Sequence, residues 1–241
     1  MSKIFFFLTL LLLGGCSCSA YQPPMANVYM PDQHTLVFSG ETRTESVKQA
    51  LALVQNAKSP VTTLIITSTG SNPAGGMMLG EWVYQQQVAV EVREICAGSC
   101  ANYIFTAASS VKVDQDAVIG FQGGAWQQHW DKPWYRFLVP GFDEHKCLSV
   151  TEWREREIAF FERIGVREEI TLMGQIKPFA QQRSGKSWWS YRAADFSKFG
   201  LRQVHVTDNY DRQSKVDILE FAPGQLESYL ATNTLLSNVA H

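Results

Sequence analysis

An α/β fold, with a mostly parallel β-sheet covered by helices, is predicted by three features of this chain. Residues 61–67 (VTTLIIT) form a β-branched, near-continuous apolar run of the kind that sits inside a sheet with both faces covered. Residues 88–94 form a second β-rich run, and the segment between them, residues 74–87, is long enough for a crossover helix. Strand and helix alternate from residue 34 to residue 121, a rhythm that right-handed βαβ connections produce.

The chain has 241 residues, 45% of them hydrophobic and 18% charged, which suits one domain with a full core and an appended tail. A formal net charge of −2 without a long basic run argues against nucleic acid and anionic membrane surfaces as partners. Residues 1–15 read as a signal peptide, with Lys3 ahead of an apolar stretch of ten residues (4–13), too short to stay as a spanning helix. Leu13-Gly14-Gly15-Cys16 resembles a lipobox, so Cys16 is the expected site of lipidation; cleavage after Ala20 is the alternative. Either route exports the chain. With Ser17 behind a lipidated Cys16, the expected location is the cell envelope, as an outer-membrane lipoprotein facing the periplasm.

Residues 16–33, with Pro23, Pro24 and Pro31, read as a tether, and an α/β domain is expected over residues 34–210. Residues 34–39 (HTLVFS) make the first strand. Thr42 and Glu45 have capping-box spacing before an amphipathic helix carrying Val47, Ala50, Leu51 and Val54. After the two strands already described, residues 111–113 and 117–121 read as two short ones. Residues 122–150 then break the rhythm as a long insertion rich in aromatics, including Trp126, Trp130, Trp134 and Phe142, expected to cover the sheet as a lid or to make an interface or binding groove. Residues 151–164 predict a helix with Ile158, Phe161 and Ile164 on its core face, and residues 167–175 a second helix. Residues 188–191 and 204–206 read as strands around a helix ending at Gly200. Residues 211–241 read as a C-terminal tail, with an edge strand near 216–221.

Chemistry concentrates at residues 94–124. The strand at 88–94 delivers the chain to Cys96-Ala97-Gly98-Ser99-Cys100, and Ser99 opens an alanine-rich helix. A serine at a tight strand-to-helix turn is a candidate nucleophile, because backbone N–H groups and a helix N-terminus converge on its hydroxyl. The competing role is a plain N-cap. Gly70, in the loop after the preceding strand, reaches the same sheet edge, so its amide and that of Cys100 could stabilise an oxyanion. Of five cysteines, Cys96, Cys100 and Cys147 fall in the folded part; one disulfide and one leftover thiol are expected, and spacing leaves the pairing open. A Cys96–Cys100 bridge would brace the Ser99 turn. No cofactor or metal is expected, since the histidines are scattered and Gly75-Gly76 is not followed by Gly-Lys-Ser/Thr.

From about Thr35 to Gly124, and again at Phe199-Gly200-Leu201, the sequence resembles the ClpP/crotonase-like superfamily, in particular exported bacterial ClpP-like proteins. LVFSGE resembles the opening strand, LIITSTGSNPAGG the segment ending in the oxyanion loop, CAGSCANYIFTAA the nucleophile turn and KVDQDAVIGFQGG the hairpin that follows. The resemblance implies a serine-peptidase scaffold, with Ser99 as nucleophile and Gly70 and Cys100 as amide donors, a peptide or acyl substrate, and assembly into a homo-oligomer. It also exposes a departure. Phe121-Gln122 stand where the family has histidine, and Ser187 or Trp188 where it has aspartate. Gln122 cannot take a proton from serine near neutral pH. The chain is therefore expected either to be inactive or to use a base from the insertion, with Lys132 and His129 as candidates and Lys146 and His145 beside them. A non-catalytic envelope binding or assembly module is the alternative. A weaker one is an α/β-hydrolase, because Ala97-Gly98-Ser99-Cys100-Ala101 is similar to a nucleophile elbow; its histidine would be His205 or His241.

Overall fold

The computed structural model describes residues 24–127 and 150–232. The signal peptide, Cys16, His129, Lys132, His145, Lys146, Cys147, His241 and every aromatic of the insertion except Trp126 lie outside them.

The chain enters through β1 (Asn27–Tyr29), within the stretch read as a tether, and pairs antiparallel with β2 (Thr35–Ser39). Val28 stands opposite Phe38 and both are buried, so one apolar contact makes a strand of an otherwise patternless segment. Helix α1 (Thr44–Gln55) follows, then β3 (Thr63–Ser68), α2 (Pro73–Gln85) and β4 (Ala89–Ala97). Pro73 sits at the first turn of α2, where its missing N–H is harmless, and Asn72 caps the helix by accepting from Ala74 N at 2.8 Å and Gly75 N at 3.2 Å. The serine helix (Cys100–Phe105), wound with π geometry, leads to β5 (Val111–Val113) and β6 (Val118–Gly120). Beyond the insertion come α3 (Val150–Ile164), β7 (Trp189–Tyr191), β8 (Val204–His205), β9 (Asp217–Leu219) and α4 (Gln225–Ala231).

The main sheet runs β1-β2-β3-β4-β5-β8, parallel at every step after β1. β4 is its axis: Val90–Val92 pair with β5, and Ile95–Ala97 pair with β6 further along the same edge. Against β3 the register slips between Ile66 and Ser68, which opposes Cys96; the bulge leaves Arg93 and Glu94 both exposed and advances the end of β4 toward the serine. β7 and β9 make a separate parallel pair joined to the main fold by Phe121 and Trp189, which bond each other's backbones.

Several expectations are corrected. The 61–67 run is not covered equally on both faces: Leu64 and Ile66 are fully buried, Ile65 and Thr67 only half-buried. The capping box does not form, because Arg43 occupies the N-cap and the Thr42 hydroxyl is engaged elsewhere. In α3 the buried stripe is Glu157, Phe160, Phe161 and Ile164, leaving Ile158 half-buried. Residues 167–175 form two 3-10 turns, Glu168–Thr171 and Met173–Gln175, rather than one helix. Residues 168–174 are buried throughout, so no exposed face selects a 3.6-residue repeat. In the stretch read as a tail, β9 forms where an edge strand is expected, but α4 is not expected, and Leu219 and Leu226 are fully buried.

Candidate functional site

Four chain segments meet at the carboxyl edge of the parallel strands, where open α/β sheets place their ligands. β4 ends at Ala97; Gly98 follows with φ +55, a left-handed conformation, and turns Ser99 into helical geometry. The Gly98 amide donates to Gly120 O at 2.9 Å, tying the turn to the end of β6. Cys96 and Cys100 are joined by a disulfide across the turn, which resolves the open pairing and leaves Cys100 buried without a free thiol. Helix α2 comes close enough to lock the serine from behind: a Cβ on Gly76 would lie 2.8 Å from Ser99 O and 2.9 Å from Ser99 Cβ.

Ser99 is 8% exposed, and its Oγ shares a hydrogen bond of 2.7 Å with Thr42 Oγ1. Thr42 is fully buried and held by its own amide, which donates to Gly70 O at 2.9 Å. Gly70, with φ +86, presses against the serine so closely that a Cβ there would stand 2.9 Å from Ser99 Oγ. The Gly70 amide is engaged, donating to Ser68 Oγ at 3.1 Å. The structure thus places Gly70 against Ser99 and Cys100, with the Gly70 donor already satisfied by Ser68.

Ser99 borders a cavity of about 530 Å³ shared with Asn102, Tyr103, Gln122, Trp153 and Arg183. Among the described residues lining it there is no His, Lys, Asp or Glu. Gln122 is exposed on its rim, and its carbonyl accepts from Gln175 Nε2 at 2.9 Å. His205 does not line the cavity; it is exposed on β8, opposite Lys112 of β5.

Behind the cavity wall lies a pair of carboxyls that the sequence reading did not single out. Tyr103, one of the lining residues, donates its hydroxyl to Glu157 Oε1 at 2.6 Å and accepts from Trp153 Nε1 at 2.8 Å. Glu157 Oε2 accepts from the Ala125 amide at 2.6 Å, and Glu168 packs against Glu157 as a hydrogen-bond partner. Burial raises Glu157 to about 7, opposed by the Tyr103 and Ala125 bonds; burial and then the Glu157 charge raise Glu168 to about 9. The two carboxyls therefore share a proton near neutral pH. The sequence signal was a glutamate in phase with the Phe160–Phe161 stripe.

No family model and no curated protein matches this chain. Among solved structures, the fold is similar to a point mutant of ClpP1 from Listeria monocytogenes, at 17% identity and a TM-score of 0.38 over 74% of this chain and 94% of that one. It is similar to a membrane-bound stomatin-specific protease, at 12% identity and a TM-score of 0.38 over 71% and 77%. An enoyl-CoA hydratase from Mycobacterium avium subsp. paratuberculosis K-10 gives 14% identity and a TM-score of 0.35 over 90% and 86%. These likenesses concern the fold and carry nothing about activity.

Proposed function

We propose that this protein is an exported ligand-binding module on a serine-hydrolase-type scaffold, in which Ser99 hydrogen-bonds a ligand rather than attacking it. One observation carries this reading: the Ser99 hydroxyl has another hydroxyl, Thr42, as its partner, and no described base lines the cavity. A serine hydroxyl needs a base within hydrogen-bond reach to become a nucleophile near neutral pH. The Gly70 bond to Ser68 points the same way, since that donor would have to be released before it could hold an oxyanion. The Cys96–Cys100 bridge supports export, because disulfides persist in oxidising compartments.

The second reading is a hydrolase with its base in residues 128–149, the segment that holds His129, Lys132, His145 and Lys146. It is favoured by Gln127 and Trp153, which flank that segment in the chain and both line the cavity. A fluorophosphonate probe separates the two. Binding without catalysis predicts no labelling of the folded chain at pH 7–9. Labelling of wild type that disappears in Ser99→Ala would establish the hydrolase instead.

A further inference from the structure

Arg183 is the one charged residue among the described residues lining the Ser99 cavity. It follows the 3-10 turn Phe179–Gln182 and is fixed from two directions. Its Nη2 donates to Lys186 O at 2.6 Å and reaches Ser187 O at 3.5 Å, while its guanidinium carbon lies 4.8 Å from the centre of the buried Trp189 ring. Its Nε is buried with no hydrogen-bond partner, and no described carboxylate pairs with it. The neighbouring Lys186 is committed to Asp217 at 3.3 Å. A guanidinium held on an aromatic face and left without a counter-charge attracts an anion, and with Nη2 spent on carbonyls and Nε buried, Nη1 is the donor left to meet it.

Asn102 supplies an independent observation on the same cavity. It is 2% exposed; its Nδ2 donates to Gly123 O at 2.7 Å, and its Oδ1 is buried with no partner. A buried acceptor without a donor costs on the order of 1–3 kcal/mol, so a rotation of Asn102 that turns Oδ1 into the cavity to meet a ligand N–H gains correspondingly.

Together these residues ask for a ligand with one negative charge and an amide donor near it. A phosphate dianion fits poorly, since one guanidinium would leave half its charge uncompensated in a cavity that holds no second cation among the described residues. A carboxylate is neutralised by Arg183 alone. The volume of about 530 Å³ leaves room for more than the carboxylate, within the usual size of small-molecule sites. We propose that the cavity binds an N-acyl α-amino carboxylate, presented either by the C-terminus of a peptide or by a free N-acyl amino acid. Arg183 takes the carboxylate, Asn102 Oδ1 accepts the amide N–H, and the Ser99–Thr42 hydroxyl pair bonds the acyl end. This rests on the cavity being a binding site, as proposed above.

The test is calorimetric titration of the full chain with four probes: N-acetylphenylalanine, its carboxamide, an eight-residue peptide with a free C-terminus, and the same peptide amidated. Each acid is expected to bind at least tenfold tighter than its amide, the order expected for one charge-assisted hydrogen-bonded pair. Arg183→Gln brings the acid down to the amide, and Arg183→Lys, which keeps the charge without the planar guanidinium, restores part of the difference. Tight binding of the peptide acid alone identifies the peptide source, and equal binding of both acids the free N-acyl amino acid. Equal affinity for acids and amides, a preference that survives Arg183→Gln in folded protein, or no binding of any probe overturns the carboxylate site. Fluorophosphonate labelling of Ser99 alongside a preserved acid preference would instead overturn binding without catalysis and leave the carboxylate site standing.

Discussion

Glu157 and Glu168 lie buried against one another beneath Tyr103, and each binds its proton more tightly in the native chain than at the unfolded value near 4.5. Between about pH 4.5 and the native values, about 7 and about 9, native protein therefore holds more protons than unfolded protein. The stability this pair contributes is complete below pH 4.5 and is lost as pH rises through the native values. Glu169, ion-paired with Arg167 at 2.6 Å, adds a further negative charge near Glu168. Glu168→Gln keeps a hydrogen-bonding side chain and removes one ionisation. Melting curves from pH 5 to pH 9 are expected to flatten in this variant, with a gain of roughly 1–2 kcal/mol, a few °C, at the alkaline end. An unchanged slope would mean that the pair does not titrate in this range. Glu157 was within reach of sequence reasoning, because it stands three and four residues before Phe160 and Phe161 on one helical stripe. Arg183 was not: its partner ring belongs to a strand that only folding brings beneath it.

The packing of α2 on the serine helix sets the site at the scale of elements. Gly76 and Gly80, four residues apart, face Ser99 and Tyr103, also four apart, so two backbones meet where side chains would hold them off. A Cβ on Gly80 would overlap the Tyr103 carbonyl oxygen and lie 3.1 Å from the Phe160 ring. Alanine would favour the helix itself by up to about 1 kcal/mol, while overpacking against backbone costs about 1–3 kcal/mol. Gly80→Ala is therefore expected to lower stability in urea by about 1–2 kcal/mol and to loosen the Tyr103–Glu157 bond. Stabilisation would show that α2 can shift without strain. The helices and strands themselves were readable locally, since α1, α2 and β2 to β6 follow their apolar periodicities within a few residues. The Gly76–Gly80 contact was not, because glycine leaves no hydrophobic signal and its partner lies in another element.

At the scale of the whole molecule, we propose that the site belongs to an envelope protein held by lipid at Cys16. The motivation is the ten-residue apolar stretch at 4–13 followed by Leu13-Gly14-Gly15-Cys16. Expressed with its leader in a bacterial host, the wild-type chain is expected in the membrane fraction and in the detergent phase on partition, and Cys16→Ser in the aqueous phase. Wild-type protein in the aqueous phase would favour cleavage after Ala20.

The sequence by itself determined the parallel α/β architecture and the strand-to-helix turn at Ser99, because each is written in neighbouring residues. Tertiary structure decided the rest. It bonded Ser99 to Thr42, 57 residues away; it bound Cys96 to Cys100; it packed α4, in the stretch read as a tail, onto the core through Leu226. It also set Arg183 beside the same cavity as Ser99. Periodicity records which face of an element is apolar, whereas a site is made by side chains from distant segments whose meeting no local pattern encodes.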